Sequence, residues 1–110
     1  MDVFHFPNRE KLDQAGADWL ARRLRDVPDA LLCLATGSSP SGVYARLAEA
    51  PEWKNARPGI IGLDEWCGLE QRHPATCRFY LEEKVIRPWK VAGDRCHLFD
   101  ASANGEDECL

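Results

Sequence analysis

The chain has 110 residues, of which 45% are hydrophobic, a length and composition that suit one small domain. Its net charge of −4 and pI near 5.3 offer no basic patch for nucleic acid, and no apolar run approaches the roughly 18 residues of a membrane span. Met1-Asp2-Val3-Phe4-His5 has no basic stretch of the kind that opens an export signal, so the five cysteines read as reduced thiols of a cytoplasmic protein.

In chain order, Val3-Phe4-His5-Phe6 predicts a short edge strand. Asn8 caps a helix from Arg9 to about Arg25, with Leu12, Ala15, Trp19, Leu20, Arg23 and Leu24 near helical spacing and Trp19 placed in the core. Val27-Pro28-Asp29 is a turn into a strand at Leu31–Leu34, whose apolar run puts Cys33 in the core. A helix over 40–50 follows, with Val43 and Leu47 inward. Pro51-Glu52 and Trp53 form a surface connection to a strand at Gly59–Leu63. Gly68 to Pro74 is a loop. Thr76 to Ile86 is helical, burying Phe79, Leu81 or Tyr80, and Val85, and Arg87-Pro88-Trp89 ends it because the residue before proline avoids the helical region. Cys96-His97-Leu98-Phe99 is the last strand, Asp100 to Gly105 is polar turn material, and Glu106 opens a further helix. Strands alternating with helices predict an α/β fold built on a parallel sheet of about four strands.

Two segments carry chemistry. Thr36-Gly37-Ser38-Ser39-Pro40 turns a strand into a helix. A helix start leaves about four N–H groups without intrahelical partners and carries roughly half a positive charge. Gly37 lets the backbone turn sharply and an anion approach, Ser39 suits the N-cap, Pro40 the first helical position, and Thr36, Ser38 and Ser39 add hydroxyls. The segment lacks both the Gly-Lys-Ser/Thr of a Walker A loop and the G-x-G-x-x-G of a dinucleotide loop, and so suits a phosphate monoester; an ordinary capped turn would look the same. The second segment, Leu63-Asp64-Glu65-Trp66, leaves two carboxylates at the end of a strand where open parallel sheets bind ligands. Neighbouring strand residues point to opposite sides, so one carboxylate faces the ligand crevice and the other makes a structural bond; Asp after a strand is also a common turn former. Cys67, His73, Cys77, Cys96 and His97 match no compact zinc module in their spacing, and no metal site is assigned.

Leu34 to Pro40 followed by Ser41-Gly42-Val43-Tyr44-Ala45-Arg46-Leu47 resembles the phosphate-loop segment of the glucosamine-6-phosphate deaminase family. Leu63-Asp64-Glu65-Trp66-Cys67-Gly68-Leu69 and His73-Pro74-Ala75-Thr76-Cys77-Arg78 resemble its second signature, with Trp66 and Pro74 to Cys77 leaning toward the galactosamine-6-phosphate branch. The related 6-phosphogluconolactonases share the loop but usually show Asp-Glu-Arg at the second site, where Trp66 stands here.

The resemblance implies an incomplete Rossmann-like parallel sheet with helices on both faces. It implies that residues 1–110 are the N-terminal part of one α/β domain whose C-terminal half is absent. The activity it implies is conversion of an amino-sugar 6-phosphate to a ketose 6-phosphate and ammonia without an organic cofactor. Asp64 is then the general base, Glu65 supports it, and Thr36, Gly37, Ser38 and Ser39 hold the phosphate. No Lys or Arg of this sequence matches the basic phosphate ligands of the family's second half, and the histidine for ring opening is missing, so the chain by itself is expected to be inactive. The implied partners are the sugar phosphate and, through an unpaired sheet edge, other copies of the chain. The alternative is a noncatalytic α/β fragment that binds a phosphate ligand or a protein partner.

Overall fold

The computed structural model describes residues 1–50 and 53–102. Pro51 and Glu52 of the expected connection, the end of the turn after Ser102, the helix expected from Glu106, and Cys109 lie outside the described residues.

Helix α1 spans Arg9–Asp26. Asn8 caps it as expected, its side chain accepting the Lys11 N–H at 2.9 Å, with Glu10 in the first turn and Arg23 and Arg25 in the last favouring the helix dipole. Strand β1 is Leu31–Leu34, α2 is Ser38–Glu49 and β2 is Gly59–Gly62. Helix α3, Cys77–Leu81, runs through a wide π-helical turn at Glu82–Ile86 into α4, Arg87–Trp89, and β3 is Cys96–His97. The three strands form a parallel sheet in the order β1-β2-β3. Among the described residues no helix is long and apolar enough to cross a membrane.

The parallel α/β sheet is present, with three strands among the described residues. The apolar cluster of Leu24, Leu34, Tyr44, Leu47, Ile60, Leu81, Val85 and Trp89 joins helices to one face of it. The opposite face is open at β1, where Leu31 is 60% exposed and Cys33 is exposed, so Cys33 is not a core residue. Val3 to Phe6 do not form a strand: Val3 and Phe4 are exposed, and among the described residues no strand pairs with them, without which an alternating tetrapeptide has no ladder to join.

The buried face of α1 also differs from expectation. Trp19 is 57% exposed, whereas Asp13, Ala17, Ala21 and Leu24 are buried. The cause is close helix packing: a Cβ at Gly16 would stand 2.9 Å from Val43 of α2, so small residues form the contact and the indole is turned out. Trp53 is buried rather than on a surface connection, its indole N–H donating to the Leu47 carbonyl near the end of α2 at 2.8 Å. Nor does Pro88 stop the helix. Arg87 before it stays helical, with φ −68° and ψ −53°, and the chain continues to Trp89 and a left-handed cap at Lys90. A proline removes the i→i−4 hydrogen bond and crowds that carbonyl, and the preceding wide turn takes up the misfit. Leu81 and Val85 are buried as expected, Phe79 and Tyr80 only half so. Strand β3 ends at His97, short of Phe99.

Candidate active site

Leu34 pairs with Gly62 at the carboxyl ends of β1 and β2. Thr36 and Asp64 therefore each leave the sheet just beyond the same rung, which puts them on the edge where parallel sheets present their ligand crevice. One side chain bridges them. The Thr36 hydroxyl donates to Cys77 Sγ at 3.5 Å, and that thiol donates to Asp64 Oδ1 at 3.8 Å. Cys77 opens α3, so the first turn of that helix sits between the two motifs. Burial pushes the Cys77 thiol up, and the carboxylates of Glu65 and Asp64 add to this while the Thr36 hydroxyl opposes it.

The glycine turn is as tight as the sequence requires. Gly37 has φ +103°, a conformation that side-chain-bearing residues rarely adopt, and nothing lies within 4 Å of where its Cβ would stand. Helix α2 starts earlier than expected. Gly37 is the N-cap and Ser38 the first helical residue, so Ser39 is not the cap and Pro40 sits third, still within the first turn where its missing N–H costs no intrahelical bond. Gly37, Ser38 and Ser39 are exposed and Thr36 is half-buried.

Asp64 and Glu65 lie just beyond the end of β2 and have different partners. Glu65 Oε1 accepts the N–H of Cys77 at 2.7 Å and of Trp66 at 2.9 Å, and Oε2 accepts the N–H of Arg78 at 2.8 Å. It thus caps α3, together with Thr76, whose hydroxyl takes the Phe79 N–H at 3.0 Å. Asp64 is exposed, with the Cys77 thiol against its carboxylate. His73 shapes the loop before α3, its Nδ1 accepting the Ala75 N–H at 3.0 Å.

Three residues that the sequence did not single out hold the glycine turn from behind. Arg9 donates to the carbonyls of Ser38 and Ser39, both at 2.7 Å, and to the buried Asp13 at 3.1 Å, which also pairs with Arg46 at 3.6 Å. A cation is therefore seated at the loop. Tyr80 of α3 donates to the Gly37 carbonyl at 2.8 Å, and Tyr44 of α2 to that of Ala35 at 2.7 Å. Burial, ahead of the neighbouring Tyr80 and Cys33, pushes the Tyr44 phenol up to about 12, so it remains a donor at any ordinary pH. Arg9 and Tyr80 lie far away in the chain, and the spacing of the loop residues carries no trace of them.

No protein-family model matches the chain. Among curated relatives, it is 35% identical to a glucosamine-6-phosphate deaminase of Arthrobacter sp. (strain FB24) over 94% of this chain and 41% of that protein. It is 30% identical to one of Geobacillus sp. (strain WCH70) over 99% of this chain and 45% of that protein. Among solved structures, a monomeric glucosamine-6-phosphate deaminase of the NagB superfamily superposes with a TM-score of 0.89 at 29% identity, over 99% of this chain and 47% of its own. The chain spans less than half the length of these relatives.

Proposed function

We propose, from the homology of this chain to the glucosamine-6-phosphate deaminases, that it contributes the phosphate cradle and the general base of an amino-sugar-6-phosphate deaminase, as the N-terminal part of the catalytic α/β domain. The observation that carries this reading is the contact of one thiol, Cys77, with both Thr36 and Asp64, because a single sugar phosphate must reach both ends of such a site. The N–H groups of the first turn of α2 and the hydroxyls of Thr36, Ser38 and Ser39 hold the phosphate. Asp64 removes the proton from the carbon bearing the amine in the open-chain sugar, and Glu65 supports the site by fixing α3.

The chemistry needs no organic cofactor. The neighbouring aldehyde acidifies that proton and takes up the electron pair, giving an enediol-type intermediate with the amine on its second carbon. Return of the proton to the former aldehyde carbon leaves an iminium. Water adds to it, the C–N bond breaks, and a ketose 6-phosphate and ammonia result. A positioned carboxylate contributes about 10²–10⁴-fold to the proton transfer. Such a reaction belongs in the cytoplasm, where phosphorylated sugars are kept.

The test replaces the matching segment of a full-length glucosamine-6-phosphate deaminase with this chain and measures ammonia release from glucosamine and galactosamine 6-phosphates. The expected result is turnover of at least one of them that disappears with Asp64→Asn. A folded chimera without turnover on either sugar would sink the reading.

The open face of the sheet favours a second reading, in which the chain is a noncatalytic phosphate-binding fragment that associates with further copies through its exposed sheet edge. Leu31, at 60% exposure on the edge strand β1, supports it. A folded chimera that binds phosphate but releases no ammonia would favour it over the first.

A further inference from the structure

We propose that Tyr80 is a positioning residue for the anion loop, setting the direction of the Ser38 N–H through the carbonyl of Gly37. The proposal rests on the reading of that loop as a phosphate cradle. A trans peptide holds its C=O and N–H on opposite sides of one plane, so whatever fixes the carbonyl of Gly37 also aims the N–H of Ser38. That carbonyl is held from the protein side by two hydroxyls, Tyr80 at 2.8 Å and Ser41 Oγ at 2.7 Å. The Ser38 N–H, at the first position of α2, has no intrahelical acceptor and is turned the other way, and Ser38 itself is exposed. Tyr44 does the same at the Ala35 carbonyl for the N–H of Thr36, and Arg9 at the Ser38 carbonyl for the N–H of Ser39. Side chains from three helices thus hold the carbonyls of the loop.

Tyr80 differs from the other two in its arrangement. Its hydroxyl is also 2.6 Å from Ser41 Oγ, so three oxygens stand in mutual contact. The carbonyl brings no proton and each hydroxyl brings one. Two protons cannot serve three contacts, and either hydroxyl can supply the carbonyl while the other donates to it in turn. The two side chains therefore substitute for one another in part. Tyr80 reaches the loop from α3, the helix that also carries Cys77, so the aim of the Ser38 N–H is tied to the element that touches Asp64.

The experiment is a titration of the 110-residue chain with inorganic phosphate at constant ionic strength, followed by the backbone amide resonances of Gly37, Ser38 and Ser39, with thermal melting alongside. Wild type should show saturable shifts at these amides. Tyr80→Phe keeps the ring and its edge contact with Tyr44 at 6.4 Å. It should weaken phosphate affinity about three- to tenfold, the range of one hydrogen bond, and move the Ser38 amide before any phosphate is added, with little change in melting temperature. Ser41→Ala should lose less, and the double variant should lose more than the product of the two. Equal affinity in wild type and Tyr80→Phe, with the Ser38 amide unmoved, overturns the role of Tyr80 and leaves the cradle standing. A loss of affinity that merely follows a loss of stability also overturns it, since the hydroxyl is then only packing. No response to phosphate in folded wild type overturns the cradle itself and the proposal with it.

Discussion

The carboxylate of Glu65 accepts the backbone N–H of Cys77 at 2.7 Å, welding the end of β2 to the start of α3. With Arg78 and Trp66 also donating to it, this side chain satisfies three backbone donors. Glu65→Ala should lower unfolding free energy by about 1.5–3 kcal/mol, the range for hydrogen bonds to a charged group, measured by urea denaturation of the chain. Glu65→Gln should fall between the two, because its amide keeps one acceptor oxygen. Unchanged denaturation in Glu65→Ala would remove it as the anchor of α3.

Asp64→Asn separates base from binding. In the chimera it should lower kcat by two or more orders of magnitude while phosphate affinity stays within about twofold, the pattern of a group that acts in the transition state. Steady-state kinetics on both amino-sugar 6-phosphates, with phosphate as a competing ligand, gives both numbers. Near-normal turnover would contradict the assignment.

Gly37→Ala probes the turn. No atom blocks the new methyl group, so the whole effect comes from the backbone at φ +103°. A residue forced to hold such a conformation costs about 1–3 kcal/mol, or the loop relaxes and the first-turn donors disperse. Calorimetry should record the former and phosphate titration the latter. A variant normal in both would show that the turn carries no strain.

The thiols should react in a set order. Cys33 and Cys67 are exposed, whereas burial raises the pKa values of Cys77 and Cys96. Only the thiolate is alkylated, so a raised pKa leaves less of it at a given pH. With iodoacetamide at pH 8, peptide mass mapping should find Cys33 and Cys67 modified before Cys77 and Cys96. The rates at Cys77 and Cys96 should rise as the pH is raised further, because burial holds their thiols protonated to higher pH than an ordinary thiol. Equal rates at all four would contradict the geometry around Cys77.

The open face should be sticky in isolation. Leu31 and Leu63 lie exposed at opposite ends of the first two strands, and Trp66 beyond them is 64% exposed. Sedimentation of the 110-residue chain should show association that grows with concentration and is reduced by Leu31→Lys, with no ammonia released from either sugar phosphate. A strictly monomeric chain at high concentration would argue that this face is not adhesive.

Much of the site is written locally. A glycine between a strand and a helix start, and a carboxylate pair at a strand end, follow from backbone rules that act over a few residues. That is why Gly37 takes its left-handed turn where the sequence places it. The first-turn register of α2 slipped from expectation because Gly37, being able to turn at once, lets the helix begin at Ser38 before serine or proline is needed.

What the tertiary structure alone decided is which side chains meet. The near-helical spacing of α1 marks an apolar face containing Trp19, yet the small residues win that contact because Gly16 lets α2 come close, and the charged Asp13 is buried there between Arg9 and Arg46. Cys33 reads as core in an apolar run, but a strand has two faces and only one is covered here. Pro88 marks a break by local preference, and a wide turn before it absorbs the cost. The grip of Tyr80 on Gly37 spans 43 residues and that of Arg9 on Ser38 spans 29. Periodicity and capping act within a turn or a strand, whereas these contacts exist only once packed helices bring distant donors to the same loop.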